Sequence, residues 1–242
     1  MAKIKSIEEC HFNAEPFIDI RTPEVAYILG LLWADGYIDK TNDRQSFRIA
    51  IECSSKDLDT LIPTFLRSGK WNINYRTRPN RQAQTCISTS NRYLWKFLDE
   101  NNYSDKSGVS ANKILSKIPS HLKHYWFRGI IDGDGSFYYK NSTKQFNCSS
   151  SKFQDWGFFT SLFEELEIRK FVIRENVQLT NESSSGIASA YSDVRITNQL
   201  DIIKLGEYIY QNYEIDSIGL RRKFDTFLKI KNHKVGVRPQ PE

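Results

Sequence analysis

The chain has 242 residues, a formal net charge of +5 and 13% aromatic residues, which is enough length and apolar material for a sizeable core. The charge is uneven: Thr60 to Leu98 contains no Asp or Glu, yet holds Arg67, Lys70, Arg76, Arg78, Arg81, Arg92 and Lys96, a one-sided run that builds a positive field. No apolar stretch is long enough for a membrane span, the acids Glu8, Glu9, Glu15 and Asp19 fit neither a signal nor an Arg-rich transit peptide, and Cys10, Cys53, Cys86 and Cys148 lack metal-ligand spacing, so they read as free thiols in a reducing intracellular compartment.

Residues 1–22 read as an N-terminal arm. Pro23 suits the first turn of a helix that runs to about Asp35 and is closed by Gly36. Its end poses a question. Asp35 stands where the helix dipole already places negative charge, and that costs energy unless something positive sits there. Residues 37–41 and 45–52 then read as a hairpin. Ser55 is expected to cap a helix over about 56–67, with Asp57 in its first turn. Residues 71–78 and 82–88 form a second hairpin around Pro79-Asn80, and Asn91 starts a helix to about Glu100. Residues 101–118 connect this first unit, 23–100, to a second over 119–231, and 232–242 read as a frayed tail. Each unit has the order αββαββα.

The second unit echoes the first. ILGLLWADGY (28–37) matches FRGIIDGDGS (127–136), with Gly30, Asp35 and Gly36 each 99 residues before Gly129, Asp134 and Gly135. ECSSKDLDTL (52–61) and ISTSNRYLWKFL (87–98) pair in the same order with NCSSSKFQDW (147–156) and VRITNQLDIIKL (194–205). The expected fold is α+β: two units related by a pseudo-two-fold axis, each with an antiparallel sheet.

The hairpins carry polar side chains at a two-residue period. Asn74, Arg76 and Arg78 would share a face, beside Gln82, Gln84 and Cys86 on the neighbouring strand. In the second unit Ser136, Tyr138 and Lys140 lie together, as do Arg174, Asn176 and Gln178. Most polar sheet faces simply meet water. Long donors on one face also suit a DNA major groove, where Arg reads guanine and Asn or Gln reads adenine.

Gly30 and Ala34 are four residues apart, as are Gly129 and Gly133, so each helix presents small residues on one face. Two such faces permit close backbone approach. Asp35 and Asp134 would then emerge side by side. Like charges disfavour joint ionisation, and a hard divalent cation such as Mg²⁺ resolves the conflict. Two carboxylates with metal between two basic β-surfaces point to phosphodiester hydrolysis.

ILGLLWADG and FRGIIDGDG resemble the two copies of the LAGLIDADG motif. From about residue 23 to 231 the chain is similar to single-chain, two-repeat LAGLIDADG homing endonucleases. The resemblance implies two saddle-shaped sheets with helices on their outer face. It also implies a monomer that cuts both strands of a long, pseudo-symmetric or asymmetric DNA site and leaves short 3′ overhangs. Mg²⁺ is the implied metal, with Ca²⁺ or Mn²⁺ as substitutes in binding or activity. Asp35 and Asp134 fall on the motif's last acid. Each would ligate metal beside a scissile phosphate, with the backbone carbonyls of Ala34 and Gly133 adding to the set.

Two positions depart from the motif. Trp33 replaces an earlier Asp that the second copy keeps as Asp132, and is expected to pack. Arg128 replaces a small residue and is expected at an exposed helix edge. YSDKSGVS (103–110) and IGLRRKFDTF (218–227) resemble the family's basic stretches, which implies that Lys106 and Lys223 are catalytic residues that polarise water or the phosphate at the metal sites, with Arg222 as a substitute for Lys223. Arg44, Gln45, Arg48, Arg81, Lys144, Gln145 and Arg195 complete the expected DNA contacts. Two other roles fit the same fold: an intron RNA maturase, and a DNA-binding protein without nuclease activity. Loss of a motif acid would favour the latter, and both acids are present. No splicing elements flank the units, so the chain reads as freestanding or intron-encoded.

Overall fold

The apolar run over residues 25–33 has no polar face to offer solvent, so a helix formed from it must be enclosed on all sides. The computed structural model describes residues 7–39, 46–76, 83–150, 153–178 and 190–233. There the run lies within α2 (Pro23–Asp35), and all nine of its residues are buried. The expected arm contains α1 (Ile7–Ile18), and Ala14, Phe17 and Ile20 reach the core. After α2 come β1 (Tyr37–Ile38), β2 (Arg48–Ser54), α3 (Leu58–Ser68), β3 (Asn72–Arg76), β4 (Gln84–Ser90) and α4 (Arg92–Glu100). The connector holds α5 (Asn112–Leu115). The second unit runs α6 (Lys123–Asp134), β5 (Gly135–Lys140), β6 (Thr143–Ser150), α7 (Gly157–Glu165), β7 (Phe171–Gln178), β8 (Ala190–Ile196) and α8 (Gln199–Ile209), then α9 (Tyr213–Asp216) and α10 (Arg221–Lys231). Among the described residues the strands form two four-stranded antiparallel sheets, ordered β1-β2-β4-β3 and β5-β6-β8-β7. The expected α+β architecture and its internal repeat are both present.

Alternation along the strands sets the layers. Ile49 and Ile51 of β2, Ile87 of β4, Phe146 of β6 and Val194 and Ile196 of β8 are buried in the core with the helices. Their neighbours Arg48, Glu52, Gln84, Gln145 and Arg195 lie on the opposite face of each sheet. Asn91 caps α4 as expected, its side chain accepting from the amides of Tyr93 and Leu94 at 3.0 and 3.1 Å.

Three local expectations change. Ser54 rather than Ser55 caps the turn before α3, accepting from Lys56 N, while Ser55 Oγ donates to Ala83 O at 2.7 Å. Trp71 precedes its strand and packs edge-on against Phe65, with centroids 4.8 Å apart. Gly36 closes α2 with φ −69° and ψ 138°, not in the left-handed region; it is needed for space, since a Cβ would stand 2.3 Å from Leu32 O. The turns around 41–45 and Pro79-Asn80, and the tail from 234, lie outside the described residues.

The most extensive helix contact is between α2 and α6, and the small residues explain it. A Cβ on Gly30 would lie 2.0 Å from Trp126 O, and one on Gly129 would lie 2.1 Å from Tyr27 O. A Cβ on Gly133 would meet that of Ala34 at 2.4 Å. Tyr27 and Trp126, equivalent positions in the repeat, each cross to the other helix. Tyr27 Oη donates to Asp132 Oδ2 at 2.9 Å, and the Trp126 ring approaches Trp33 at 6.3 Å. Trp33 packs, as expected; it also sits edge-on to Tyr103 at 5.1 Å.

Arg128 is not at an exposed edge. It is fully buried, donating to the carbonyls of Ile209, Gln211 and Ile218 at 2.6 Å each, beneath the Tyr125 ring at 4.6 Å. It terminates α8 and holds the chain that leads through α9 towards α10. Arg128→Met is expected to strand these buried carbonyls and to cost about 3–5 kcal/mol in denaturant melts. A loss below about 1 kcal/mol would show that the guanidinium does not hold this segment.

Candidate active site

The close packing of α2 and α6 brings their C-termini together, and with them Asp35 and Asp134. Asp35 Oδ2 lies 3.1 Å from the point a Cβ on Gly133 would occupy. Both acids line a cleft of ≈650 Å³, whose walls include Tyr103, Asp105, Lys106, Ser150 and Gln154. Asp35 is exposed at the cleft mouth and Asp134 is half-buried. Burial and then the neighbouring Asp35 push the Asp134 carboxyl up to about 7, against the pull of Lys106 and Lys223. Desolvation also raises Asp35, opposed by the same two lysines.

The two lysines answer the dipole question. Lys106 Nζ donates to Trp33 O at 2.7 Å and reaches Leu32 O at 3.2 Å, Ala34 O at 3.3 Å and Gly36 O at 3.2 Å. Lys223 Nζ donates to Ile131, Asp132 and Gly135 carbonyls, each at 2.7 Å. Leu32, Trp33 and Gly36 are the repeat equivalents of Ile131, Asp132 and Gly135. Each helix thus ends on an ammonium that neutralises its carbonyls and stands beside its acid. An ammonium has three donors, and Lys223 gives all three to backbone, so its chemistry reaches the cleft as a fixed charge. Burial pushes the Lys223 ammonium down, against the pull of Asp132.

Lys223→Met is therefore expected to lower Tm by roughly 5–15 °C, because a buried helix end loses its partner. Lys106→Met should cost less, since Lys106 is only half-buried and water can take its place. Equal losses would contradict the assignment of Lys223 as the buried cap.

Arg222 does not stand in for Lys223. It pairs with Asp57 of the first unit, Nε to Oδ1 at 2.9 Å and Nη2 to Oδ2 at 3.0 Å, tying α10 across the two halves. Asp132 is buried in the core, where its Oδ2 accepts from Tyr27 Oη at 2.9 Å and from Leu220 N at 2.8 Å, while its Oδ1 has no hydrogen-bond partner among the described residues.

The polar sheet faces flank the acids. On the first, Tyr37, Arg48, Glu52, Arg76, Gln84 and Cys86 share a side, and a second hollow on this face reaches Asp35. Arg76 Nη1 donates to Glu52 Oε1 at 2.9 Å. On the second, Tyr138, Lys140, Gln145, Asp193, Arg195 and Arg174 share a side. Lys144 is opposite Tyr139 in the register and so faces the other way; successive strand residues alternate, and Lys144 and Gln145 cannot both meet one groove. The register also breaks between Arg174, opposite Asp193, and Val177, opposite Tyr191, which interrupts the alternation expected to link Arg174 with Asn176 and Gln178. The side chains of Asn176 and Gln178 lie outside the described residues, as do Arg44, Gln45, Arg78, Arg81 and Gln82. Glu52 and Asp193 are in phase with Arg48 and Arg195, and a two-residue count extended to acids would have found them.

Among the described residues no group of three or more His, Cys, Asp or Glu side chains is set to hold a metal ion. The Asp35–Asp134 pair nonetheless fits a divalent cation that takes one or two carboxylates and completes its shell with phosphate oxygens and water. Desolvation raises both acids and Asp35 further raises Asp134, and such a charge relieves them.

No family model matches the chain. An uncharacterised protein of Methanocaldococcus jannaschii is 26% identical over 127 residues, a match covering 51% of this chain and 43% of that relative's length. Among solved structures, the homing endonuclease I-WcaI bound to its DNA recognition sequence superposes with a TM-score of 0.56 at 14% identity, over 94% of both chains. Mesophilic variants of the homing endonuclease I-DmoI give 0.52 at 14% identity, over 78% of this chain and 96% of that one. An I-DmoI variant in complex with its target DNA in the presence of 2 mM Mg gives 0.50 at 14% identity, over 77% and 95%. At this identity the likeness concerns the fold: the chain has the fold of the single-chain LAGLIDADG proteins.

Proposed function

We propose that this chain, built on the LAGLIDADG fold, is a site-specific DNA endonuclease that cuts one phosphodiester bond on each strand of a long duplex and leaves short 3′ overhangs. One observation carries the reading: two carboxylates, one from each repeat, meet at the ends of the paired central helices with a polar sheet face on either side. In each strand's reaction one half supplies the acid and the other half completes the centre. Asp35 and Asp134 would hold a divalent cation such as Mg²⁺, with the carbonyls of Ala34 and Gly133 nearby, and that ion would polarise the phosphate and supply a nucleophile at neutral pH. Lys106 and Lys223 fix the two acids by capping the helices that carry them, and their charge favours a phosphate at the cleft. Arg48, Arg76, Gln84, Tyr138, Lys140, Gln145, Arg174 and Arg195 would contact the duplex, with phosphate contacts setting the register and base contacts the sequence.

The test is incubation with a randomised duplex library containing candidate insertion sites, with Mg²⁺ and then with EDTA. Metal-dependent double-strand cuts with staggered ends are expected. Sequence-specific binding with no cutting under any divalent ion would overturn the nuclease reading in favour of a DNA-binding regulator. Affinity for the selected site should fall by about 10³–10⁵ between 50 and 200 mM salt, if 6–10 phosphates are contacted. A flat salt profile in a titration would contradict a binding mode centred on the phosphates.

A further inference from the structure

We infer that Asp193 is a positioning residue for base recognition, holding the Arg174 guanidinium with its outer edge set to read a guanine. The inference rests on the DNA-binding reading above and adds a specificity device to it. A carboxylate on a face that meets a polyanion is repelled by phosphate, so its presence there calls for a reason. Asp193 lies on the groove-side face of β8, yet its side chain is only 1% exposed, beneath Arg174 at 36% and Arg195 at 34%. Arg174 Nε donates to Oδ1 at 2.9 Å and Arg174 Nη2 donates to Oδ2, a bidentate pair. Arg195 Nη2 stands 3.7 Å from the same carboxylate.

The geometry of the guanidinium does the rest. Its Nε–Nη2 edge is taken by Asp193. The Nη1–Nη2 edge lies outside that bidentate pair and carries two parallel N–H groups, the pattern that matches guanine O6 and N7. Tyr191 lies with its ring centre 5.8 Å from Arg174 Cζ and shares a hydrogen bond with the guanidinium, a second restraint on it. A long, flexible side chain is thereby ordered before DNA arrives, and the ordering cost does not fall on the complex. Arg76 and Glu52 on the first sheet make a weaker version, with one contact at 2.9 Å and both partners more exposed. The second half is therefore the one with a rigid reader.

The test compares binding sites selected from a randomised duplex library by the wild-type chain, Asp193→Asn and Arg174→Lys. Asn keeps one acceptor oxygen and breaks the bidentate grip. Asp193→Asn should relax a guanine preference at one base pair by about tenfold or more. Affinity for unrelated duplex should hold or rise, because a negative charge has left the face. Arg174→Lys should lose the same base pair. A merely structural role for Asp193 would weaken all binding together, and a merely electrostatic role would strengthen it without touching any one position. An unchanged motif in Asp193→Asn, or losses at different positions in the two variants, would overturn the inference alone. The absence of any selected motif for the wild-type chain would overturn the DNA-binding reading and this inference with it. If thermal melts show that Asp193→Asn does not fold, Arg174→Lys and Asp193→Glu decide: loss of one guanine position in the first and its retention in the second support the inference, and the same motif in both overturns it.

Discussion

Gly30→Ala is expected to destabilise the chain by about 3–5 kcal/mol, at the upper end for a single added methyl group. Helix propensity predicts the opposite sign, since Ala is better than Gly in a helix interior by about 1 kcal/mol. The difference lies in what the methyl meets. A Cβ at Gly30 would stand 2.0 Å from Trp126 O and 3.0 Å from Ile130 N, which are backbone atoms of α6 and cannot swing aside. The helices must separate, and the packing of Tyr27, Leu31 and Trp126 separates with them. Gly129→Ala meets Tyr27 O at 2.1 Å, so it should behave alike. Both substitutions open one interface, so the double variant should cost less than the sum of the singles. Denaturant melts of the three variants measure this. Additive losses, or a gain in stability, would show that α2 and α6 are not in backbone contact.

Asp35→Asn and Asp134→Asn are each expected to reduce double-strand cleavage by at least about 10³-fold while leaving DNA affinity within a few-fold. They should also stabilise the metal-free chain. The Asp134 carboxyl is held up to about 7 in the fold, against an ordinary value of 3.8. A carboxyl raised by folding favours the folded state while it is protonated, and that advantage is lost as pH rises from about 4 through 7. At pH 8 the ionised acid is a burden, and Asn removes it. After discounting for partial exposure, Asp134→Asn should raise the metal-free Tm by roughly 3–8 °C at pH 8, with little change at pH 4. A variant that loses both activity and Tm at pH 8 would point to a structural acid instead.

Much of this centre is readable in the chain. The bounds of α2 follow from Pro23, an unbroken apolar run and Asp35-Gly36, and the 99-residue offset locates α6 and its acid. The Gly-x-x-x-small spacing predicts which faces touch. What the chain does not reveal is non-local. Arg128 reads as exposed because its surroundings are backbone carbonyls 81 to 90 residues away, and no pattern around residue 128 encodes them. Lys223 as a helix cap has the same character: the fragment around it resembles a family stretch, but only the fold shows its charge spent on three carbonyls of α6. Lys144 and its neighbour Gln145 point to opposite faces of β6, and the strand period alone says so. The register break between Arg174 and Val177 is the harder case, because a bulge shifts phase with no marker such as Gly or Pro in residues 171–178.

On the proposed reading, Asp35 and Asp134 form one centre that cuts both strands. The most direct measurement is the mapping of product ends on a supercoiled plasmid carrying the selected site, with Mg²⁺, for the wild-type chain and each single Asn variant. Linear product with short 3′ overhangs is expected from the wild-type chain, and no linear product from either variant. Linear product from Asp35→Asn or Asp134→Asn at the wild-type rate would contradict that reading.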